Sequence, residues 1–405
     1  MMSFILFYGL LLTLPKMILS LIQLKFLKTQ RNKKPYILDS QSFKKAADYS
    51  IIKEKISFLN TFVDFCLLGI WILFGLQMLE SFLPTDSPLG STLFVLLFLF
   101  IQSLFSLPFD AYKTLVIDKK FGFAKGGIKL FLADTIKSFL LLLVLGGILT
   151  FIFAWIIANI PSWEFYTFII GALFIIATNL LYPTLIAPLF NKFTPLEDKD
   201  LKNAIQNLLT RVGFYSNGVF VMDASRRDGR LNAYFGGIGK TKRVILFDTL
   251  LEKIPKDSIL AVLGHELGHF KHNDIYKMMG LVLSFFFILL LLIANLPQSL
   301  FAEASLTQSP HSIIVFLILL SAPIGFYFTP ILGYFSRKNE YNADQFGAKL
   351  TSNEALANAL LLLVKENNSF PLSHELYMRF YYTHPPLMAR LIALKCEHLA
   401  FEGDK

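Results

Sequence analysis

Cysteine is nearly missing from this chain: Cys66 and Cys396 are the only two in 405 residues. They fall in regions that the patterning below keeps apart, so neither a disulfide nor a cysteine metal site is expected. Charge is scarce too. Asp, Glu, Lys and Arg make up 17% of the residues against 54% apolar ones, where soluble domains carry about 25% charged. That shortage excludes an ordinary soluble domain and a disordered chain alike. A third absence is local: segments 80–88, 160–164 and 297–311 contain no Lys or Arg, although the formal net charge is +9.

What is present is a set of long apolar runs. Seven are near the ~20 residues that a helix needs to cross a bilayer: roughly 3–24, 59–79, 89–107, 132–159, 165–189, 278–296 and 312–335. The surplus of basic residues sits in alternate connections, with Lys25, Lys28, Arg31, Lys33, Lys34, Lys44, Lys45, Lys53 and Lys55 after the first run and Lys113, Lys119, Lys120, Lys125 and Lys129 after the third. The positive-inside rule then puts the N-terminus outside and the C-terminus in the cytosol, as an odd number of spans requires. Topology and anionic lipid account for the basic residues, so no nucleic-acid partner is expected. The chain divides into a five-span region (1–190), a cytosolic block (191–277), spans six and seven (278–335) and a cytosolic tail (336–405).

The cytosolic block carries the chemistry. His265-Glu266-Leu267-Gly268-His269 is an H-E-x-x-H run. Four residues apart on a helix, both histidines reach one metal, while Glu266 stands beside its open position. The helix is expected from about Ser258, with a polar cap near Lys256-Asp257-Ser258. Leu201, Ile205, Leu208 and Leu209 repeat at amphipathic-helix spacing, and Gly218 to Met222 looks like a strand. Asn232 to Phe235, the glycines 236 and 237, and Val244 to Phe247 read as a hairpin. Its free edge could pair a peptide, or the hairpin could simply support the helix. A catalytic zinc site needs a third protein ligand. Glu340, after the last run, is the best candidate. Asp344, one helical turn on, is placed to hydrogen-bond a ligand histidine. A solvated charge cluster is the plainer alternative for that pair.

Beyond H-E-x-x-H, the chain resembles the type I CAAX prenyl proteases, integral-membrane zinc metalloproteases related to the HtpX-type membrane proteases. The resemblance rests on Ser42-Phe43-Lys44-Lys45-Ala46-Ala47-Asp48-Tyr49-Ser50, Pro188 to Leu196, Asn232-Ala233-Tyr234-Phe235, Leu246 to Leu250, Ser336-Arg337 with Glu340 and Ala343-Asp344, and Tyr382-Thr383-His384-Pro385-Pro386-Leu387 with Arg390-Leu391. It implies a mainly α, multi-pass membrane protein with seven helices around a chamber and a small α+β, gluzincin-like zinc protease domain. It also implies one Zn²⁺ per chain on His265, His269 and Glu340, with Glu266 as general base and His384 donating to the developing oxyanion. Asn232 and Ala233 would hold substrate backbone, and Arg390 would belong to a supporting network. Asp64, Asp134, Lys137 and Asn179, in or near spans, would face the chamber or pair between helices. Lys16 could equally snorkel. His272 is given no role, since Phe270-Lys271-His272-Asn273-Asp274 departs from the usual family wording. Asp228-Gly229-Arg230-Leu231 departs as well, in a place that bears on the substrate channel.

The expected activity is endopeptidase cleavage of CAAX-like or other membrane-associated polypeptides, prenylated or not. An HtpX-like quality-control protease without prenyl specificity is the alternative. A transporter or scaffold with a structural zinc is a rival of another class. A site-2-type intramembrane protease fits poorly, because Lys253, Lys256 and Asp257 stand just before the motif. The compact loops point to a bacterial inner membrane over an endoplasmic reticulum membrane. Oligomeric state is not readable from the sequence.

Overall fold

The structure, a computed structural model, describes residues 2–237 and 242–400. Among them, seven helices are long and apolar enough to cross a bilayer: α1 (Met2–Gln30), α2 (Ser40–Phe82), α3 (Pro88–Asp118), α4 (Ile128–Asn159), α5 (Trp163–Phe190), α8 (Asp274–Ala294) and α9 (Pro310–Leu350). Six contain their apolar runs whole, α8 stops two residues short of the end of its own run, and several of the others overrun theirs. At 43 and 41 residues, α2 and α9 are about 60 Å long, twice the hydrocarbon thickness. Hydropathy reports the depth of lipid and not the length of helix. The polar first half of α2, capped where Asp39 accepts from the Gln41 and Ser42 N–H groups, therefore projects out of the apolar layer, as does the end of α9 that bears Glu340.

Between α5 and α8 the chain builds a four-stranded sheet of order β1-β2-β4-β3, from β1 (Phe193–Pro195), β2 (Val219–Met222), β3 (Ala233–Gly236) and β4 (Arg243–Phe247). β2 runs parallel to β4, and β3 pairs antiparallel with β4 in the register Ala233 to Leu246. The expected hairpin is therefore present, with β3 on the sheet edge. Gly237 leaves it at a positive φ of 85°; the connection 238–241 lies outside the described residues, as do Met1 and 401–405.

Two further helices close this block. In α6 (Lys199–Arg211), the predicted face of Leu201, Ile205, Leu208 and Leu209 is buried. The motif helix α7 (Lys256–Lys271) starts without a side-chain cap. The expected polar cap is absent because Pro255 occupies the N-cap position, its fixed φ leading the chain into the first turn. α6, α7, the sheet, α10 (Asn353–Glu366) and α11 (Leu387–Ala393) share one apolar core, centred on Ile205, Leu246, Leu250, Leu263, Leu356 and Leu391.

The polar residues of the spans find different partners. Arg227 donates two hydrogen bonds to Asp134, at 2.7 and 2.9 Å, clamping α4 to the loop before β3. Lys137 donates to the Leu189 carbonyl at 2.8 Å, and Asn179 to the carbonyl of Ile175 in its own helix at 2.9 Å. Asp64 and Lys16 line a cavity of about 310 Å³ between α1, α2 and α3. Asp64 thus borders a cavity, while Asp134 and Lys137 tie segments together, the pairing that was the other expectation. Cys66 is exposed on α2 and Cys396 is buried beyond α11.

Candidate metal centre

Small residues set the spacing on which the site depends. α7 crosses α9 at Gly264 and Gly268 on one side and Ala343 and Gly347 on the other. A Cβ added to Gly268 would lie 2.7 Å from Cα of Ala343, and one added to Gly347 would lie 2.6 Å from the His265 nitrogen. Backbone against backbone, neither helix can give way. The crossing therefore holds His265 and His269 opposite Glu340 and Asp344 at a fixed distance.

His265, His269 and Glu340 converge. Their facing atoms stand 3.2 Å apart between the two Nε2 atoms, 3.2 Å between His269 Nε2 and Glu340 Oε1, and 3.5 Å between His265 Nε2 and Glu340 Oε2. Ligands about 2.0–2.1 Å from a tetrahedral metal stand about 3.3 Å from one another, and each imidazole Nε2 meets the other, and one of the two Glu340 oxygens, at close to that spacing. The outer nitrogens are engaged by carboxylates. His265 Nδ1 is 2.9 Å from Asp344 Oδ1, and His269 Nδ1 is 3.1 Å from Asp274 Oδ2. With those positions donating, both Nε2 atoms face a common point beside a buried carboxylate. Glu340 Oε2 is itself buried without a hydrogen bond. A divalent cation satisfies all three groups at once, and the set of two imidazoles and one carboxylate suits zinc. Without it a proton takes the place: burial opposes charging His269, but its hydrogen bond to Glu340 and the nearby carboxylates outweigh that and push its pKa up to about 9.

Arg390 ties the second layer together. Its Nε and Nη2 donate to the two Asp344 oxygens at 2.8 and 2.6 Å, and Nη1 lies 3.3 Å from Glu340 Oε2. It is buried, not a surface arginine of the last helix. His384 comes from the 382–387 segment with Nδ1 2.9 Å from Glu340 Oε1 and its side chain largely exposed. Glu266 faces the trio, where burial pushes its carboxyl pKa up against the pull of the two histidines. Ala233 begins the edge strand, and Asn232 precedes it with its Oδ1 accepting from the Ala233 N–H at 2.9 Å. The structure thus gathers Glu340, Asp344, Arg390 and His384 around the motif, with Asn232 and Ala233 at the start of the β3 edge.

Asp274 escaped the sequence reading. It lies five residues past His269, after a turn in which Asn273 takes a left-handed φ of 57°, and nothing in helical spacing places it against the imidazole. The small residues were a readable signal: Gly264 and Gly268, and Ala343 and Gly347, are two small-x-x-x-small pairs. His272 has a buried Nδ1 without a hydrogen bond and stands apart from the trio.

An apolar cavity of about 210 Å³ opens on Glu266 and His269, walled by Phe214, Phe235, Phe270 and Tyr276. A second, of about 470 Å³, borders His384 and reaches Arg230 and Tyr49.

Comparison with known proteins gives the family. Residues 195–398 match the model of peptidase family M48, and residues 23–192 match the five-membrane-helix N-terminal region of CAAX prenyl proteases. The chain is 32% identical to CAAX prenyl protease 1 of Saccharomyces cerevisiae, over 91% of its own length and 90% of the relative's. It is also 32% identical to the CAAX prenyl protease 1 homolog of Homo sapiens, over 89% and 87%. The crystal structure of S. mikatae Ste24p superposes with a TM-score of 0.89 at 30% identity, covering 96% of this chain and 98% of that one.

Proposed function

The chain belongs to peptidase family M48 and is a multi-pass membrane metalloendopeptidase of CAAX prenyl protease type, and from that premise we propose that His265, His269 and Glu340 hold one Zn²⁺ at which peptide bonds are hydrolysed. The observation that carries the proposal is the convergence of two imidazole nitrogens and a carboxylate within 4.8 Å of one another, each side chain held from behind by a hydrogen bond or an ion pair. Glu266 and His384 on either side supply the proton chemistry.

When bound, the metal lowers the pKa of a water and polarises the scissile carbonyl. Glu266, its pKa raised by burial, takes the proton of the attacking water and passes it to the leaving amine. His384 donates to the oxyanion of the tetrahedral intermediate. Asp344 and Asp274 hold the two ligand imidazoles in the tautomer that presents Nε2, while Arg390 neutralises the Asp344 and Glu340 carboxylates. Asn232 and Ala233 offer the free edge of β3 to substrate backbone.

The substrates are membrane-associated peptides or proteins. We propose that a prenyl group is among the chemistries accepted, since the apolar cavity beside Glu266 would receive a large hydrocarbon upstream of the scissile bond. The site lies in the cytosol and the N-terminus outside, because the basic connections flank the protease side. Compact loops favour a bacterial inner membrane and the eukaryotic relatives an endoplasmic reticulum membrane; both place the site in the cytosol. A reporter fused at the C-terminus should be cytosolic, and a signal from the opposite side would reverse the orientation.

The decisive experiment measures metal in detergent-purified wild type and Glu266→Gln, together with cleavage of a farnesylated C-A-A-X peptide and its unprenylated control. About one zinc per chain in both proteins, with cleavage by wild type alone, is the expected outcome. Zinc-free wild type, or cleavage undiminished in Glu266→Gln, would sink the assignment. Equal cleavage of both peptides would remove the prenyl preference only.

A further inference from the structure

Glu54 is a buried carboxylate for which the chemistry above has no use. It sits on the polar half of α2 that projects from the apolar layer, 7% exposed. No ion pair holds it among the described residues. Two hydroxyls do so instead: Ser20 of α1 donates to its Oε1 at 2.5 Å and Tyr377 to its Oε2 at 2.7 Å. A buried charge is expensive unless hydrogen bonds satisfy it, and those to an ionised acceptor are the strong ones. The carboxylate therefore binds Tyr377 firmly to α1 and α2.

Tyr377 lies in the short helix Glu375–Tyr381, which leads straight into Tyr382-Thr383-His384. None of the residues of that helix is fully buried, so discrete contacts fix it. At its start Gln23, buried on α1, accepts from the His374 N–H at 3.0 Å and from the Ser373 hydroxyl at 3.3 Å. Near its end the Phe380 ring stacks on Phe326 of α9, with centres 4.8 Å apart, and the Tyr382 carbonyl accepts from Arg337 Nη1 at 2.6 Å. His384 follows with its side chain 65% exposed. So open an imidazole has little packed around it, and the backbone that carries it must supply the placement. Three buried polar side chains of the first two spans, Ser20, Gln23 and Glu54, thus converge on the segment that delivers His384.

We infer that Glu54 is a positioning residue for peptide hydrolysis: through Tyr377 it fixes the connector 373–382 against α1 and α2 and so sets where His384 stands beside the metal centre. The inference rests on the oxyanion role given to His384 above. Misplacing a catalytic group by about 1 Å costs on the order of 10²-fold in rate. The cost falls on kcat, because donation to the oxyanion is made only in the transition state.

The experiment follows cleavage of the farnesylated C-A-A-X peptide by the full-length protein in detergent, with metal content measured in parallel. Tyr377→Phe deletes one hydroxyl and should lower kcat about tenfold, with KM and metal content within about twofold of wild type. Glu54→Ala should lower kcat further, toward about a hundredfold. Glu54→Gln should restore most of it, since its amide oxygen still accepts from Tyr377 while the Ser20 hydroxyl turns to the backbone carbonyl of position 54, 3.4 Å away. In His384→Ala, already slow, adding Tyr377→Phe should cost less than about twofold more, because both substitutions remove one effect. A full further loss in that background makes Glu54 a general support and overturns the inference. So does a loss of metal or a rise in KM in place of the fall in kcat, and so does wild-type kcat in Tyr377→Phe. Should Glu54→Ala not fold, Tyr377→Phe decides alone. Wild-type kcat in His384→Ala would sink the oxyanion role, and this inference with it, while the zinc assignment stands. A wild type that leaves the peptide uncut removes the reaction and the inference together.

Discussion

Where α7 crosses α9, glycine faces backbone; where α5 crosses α8, glycine faces the edge of a phenyl ring. An added Cβ at Gly268 or Gly347 meets Ala343 Cα at 2.7 Å or the His265 nitrogen at 2.6 Å, whereas one at Gly171 comes closer still to Phe286 Cε1. Distance alone would make Gly171 the tightest of the three, but the obstacles differ. A backbone cannot retreat without moving its helix, and a half-buried ring can turn. The first crossing carries the metal ligands and must hold a geometry to tenths of an ångström. The second only has to exclude lipid. Burial follows the same division: 44% of the apolar window of α9 is buried against 11% of that of α5, so α9 works as the central post and α5 as an outer wall.

The largest effect should come from removing a ligand on the rigid side. Glu340→Ala takes away the carboxylate ligand and leaves Arg390 Nη1 without its partner while Asp344 keeps the rest of the guanidinium, so metal content should fall to background and peptide cleavage with it. Elemental analysis of the purified variant decides it, and retention of about one metal per chain would exclude Glu340 as a ligand. Next comes the crossing itself. Gly347→Ala and Gly268→Ala should each destabilise the protein by about 1–3 kcal/mol through overpacking. They should also weaken metal binding, because the pushed helix carries Glu340 with it. A chelator competition that found wild-type affinity in both would show that the spacing is not held there.

Smaller effects are expected from the carboxylates behind the histidines, and these should not be equal. Asp344 is locked by two hydrogen bonds from Arg390, while Asp274 has one contact from Lys277, at 3.2 Å, whose side chain is largely exposed. Asp344→Asn leaves a buried guanidinium half paired and should cost activity near the upper end of the usual 10–100-fold range for such partners. Asp274→Asn keeps an acceptor for the His269 N–H and should fall near the lower end. The same ranking in metal affinity and in kcat/KM supports the reading, and a reversed ranking would break it.

The two crossings were unequally legible in the sequence. H-E-x-x-H announces its own geometry because both histidines sit on one helix, where spacing fixes direction. Glu340 and Asp344 were readable as a pair for the same reason, but not their distance from α7, which depends on Gly264, Gly268, Ala343 and Gly347 meeting in space. Asp274 was invisible because a left-handed residue, Asn273, separates it from the helix it serves. The spans were found and their ends were not, since the polar halves of α2 and α9 continue as helix where hydropathy falls silent. The edge position of β3 had to wait for the sheet order, as a hairpin alone does not say which strand is outermost.

Gly171→Ala should have the smallest effect of the series, and it tests whether the division is real. Gly171 is buried, and its missing Cβ faces Cε1 and Cζ of Phe286, a ring that also lies 6.1 Å from that of Phe168 at the α5–α8 contact. Rotation about the Phe286 side-chain bonds clears room for one methyl group, and alanine also favours the helix over glycine by about 1 kcal/mol. The two terms oppose each other, so the detergent-solubilised variant should unfold within about 1 kcal/mol of wild type and keep its metal and its activity. Thermal unfolding of Gly171→Ala beside Gly347→Ala, followed with metal content, separates the cases. A loss at Gly171 as large as at Gly347 would mean that the outer wall is packed as rigidly as the site, and that backbone contact is not what sets α7 and α9 apart.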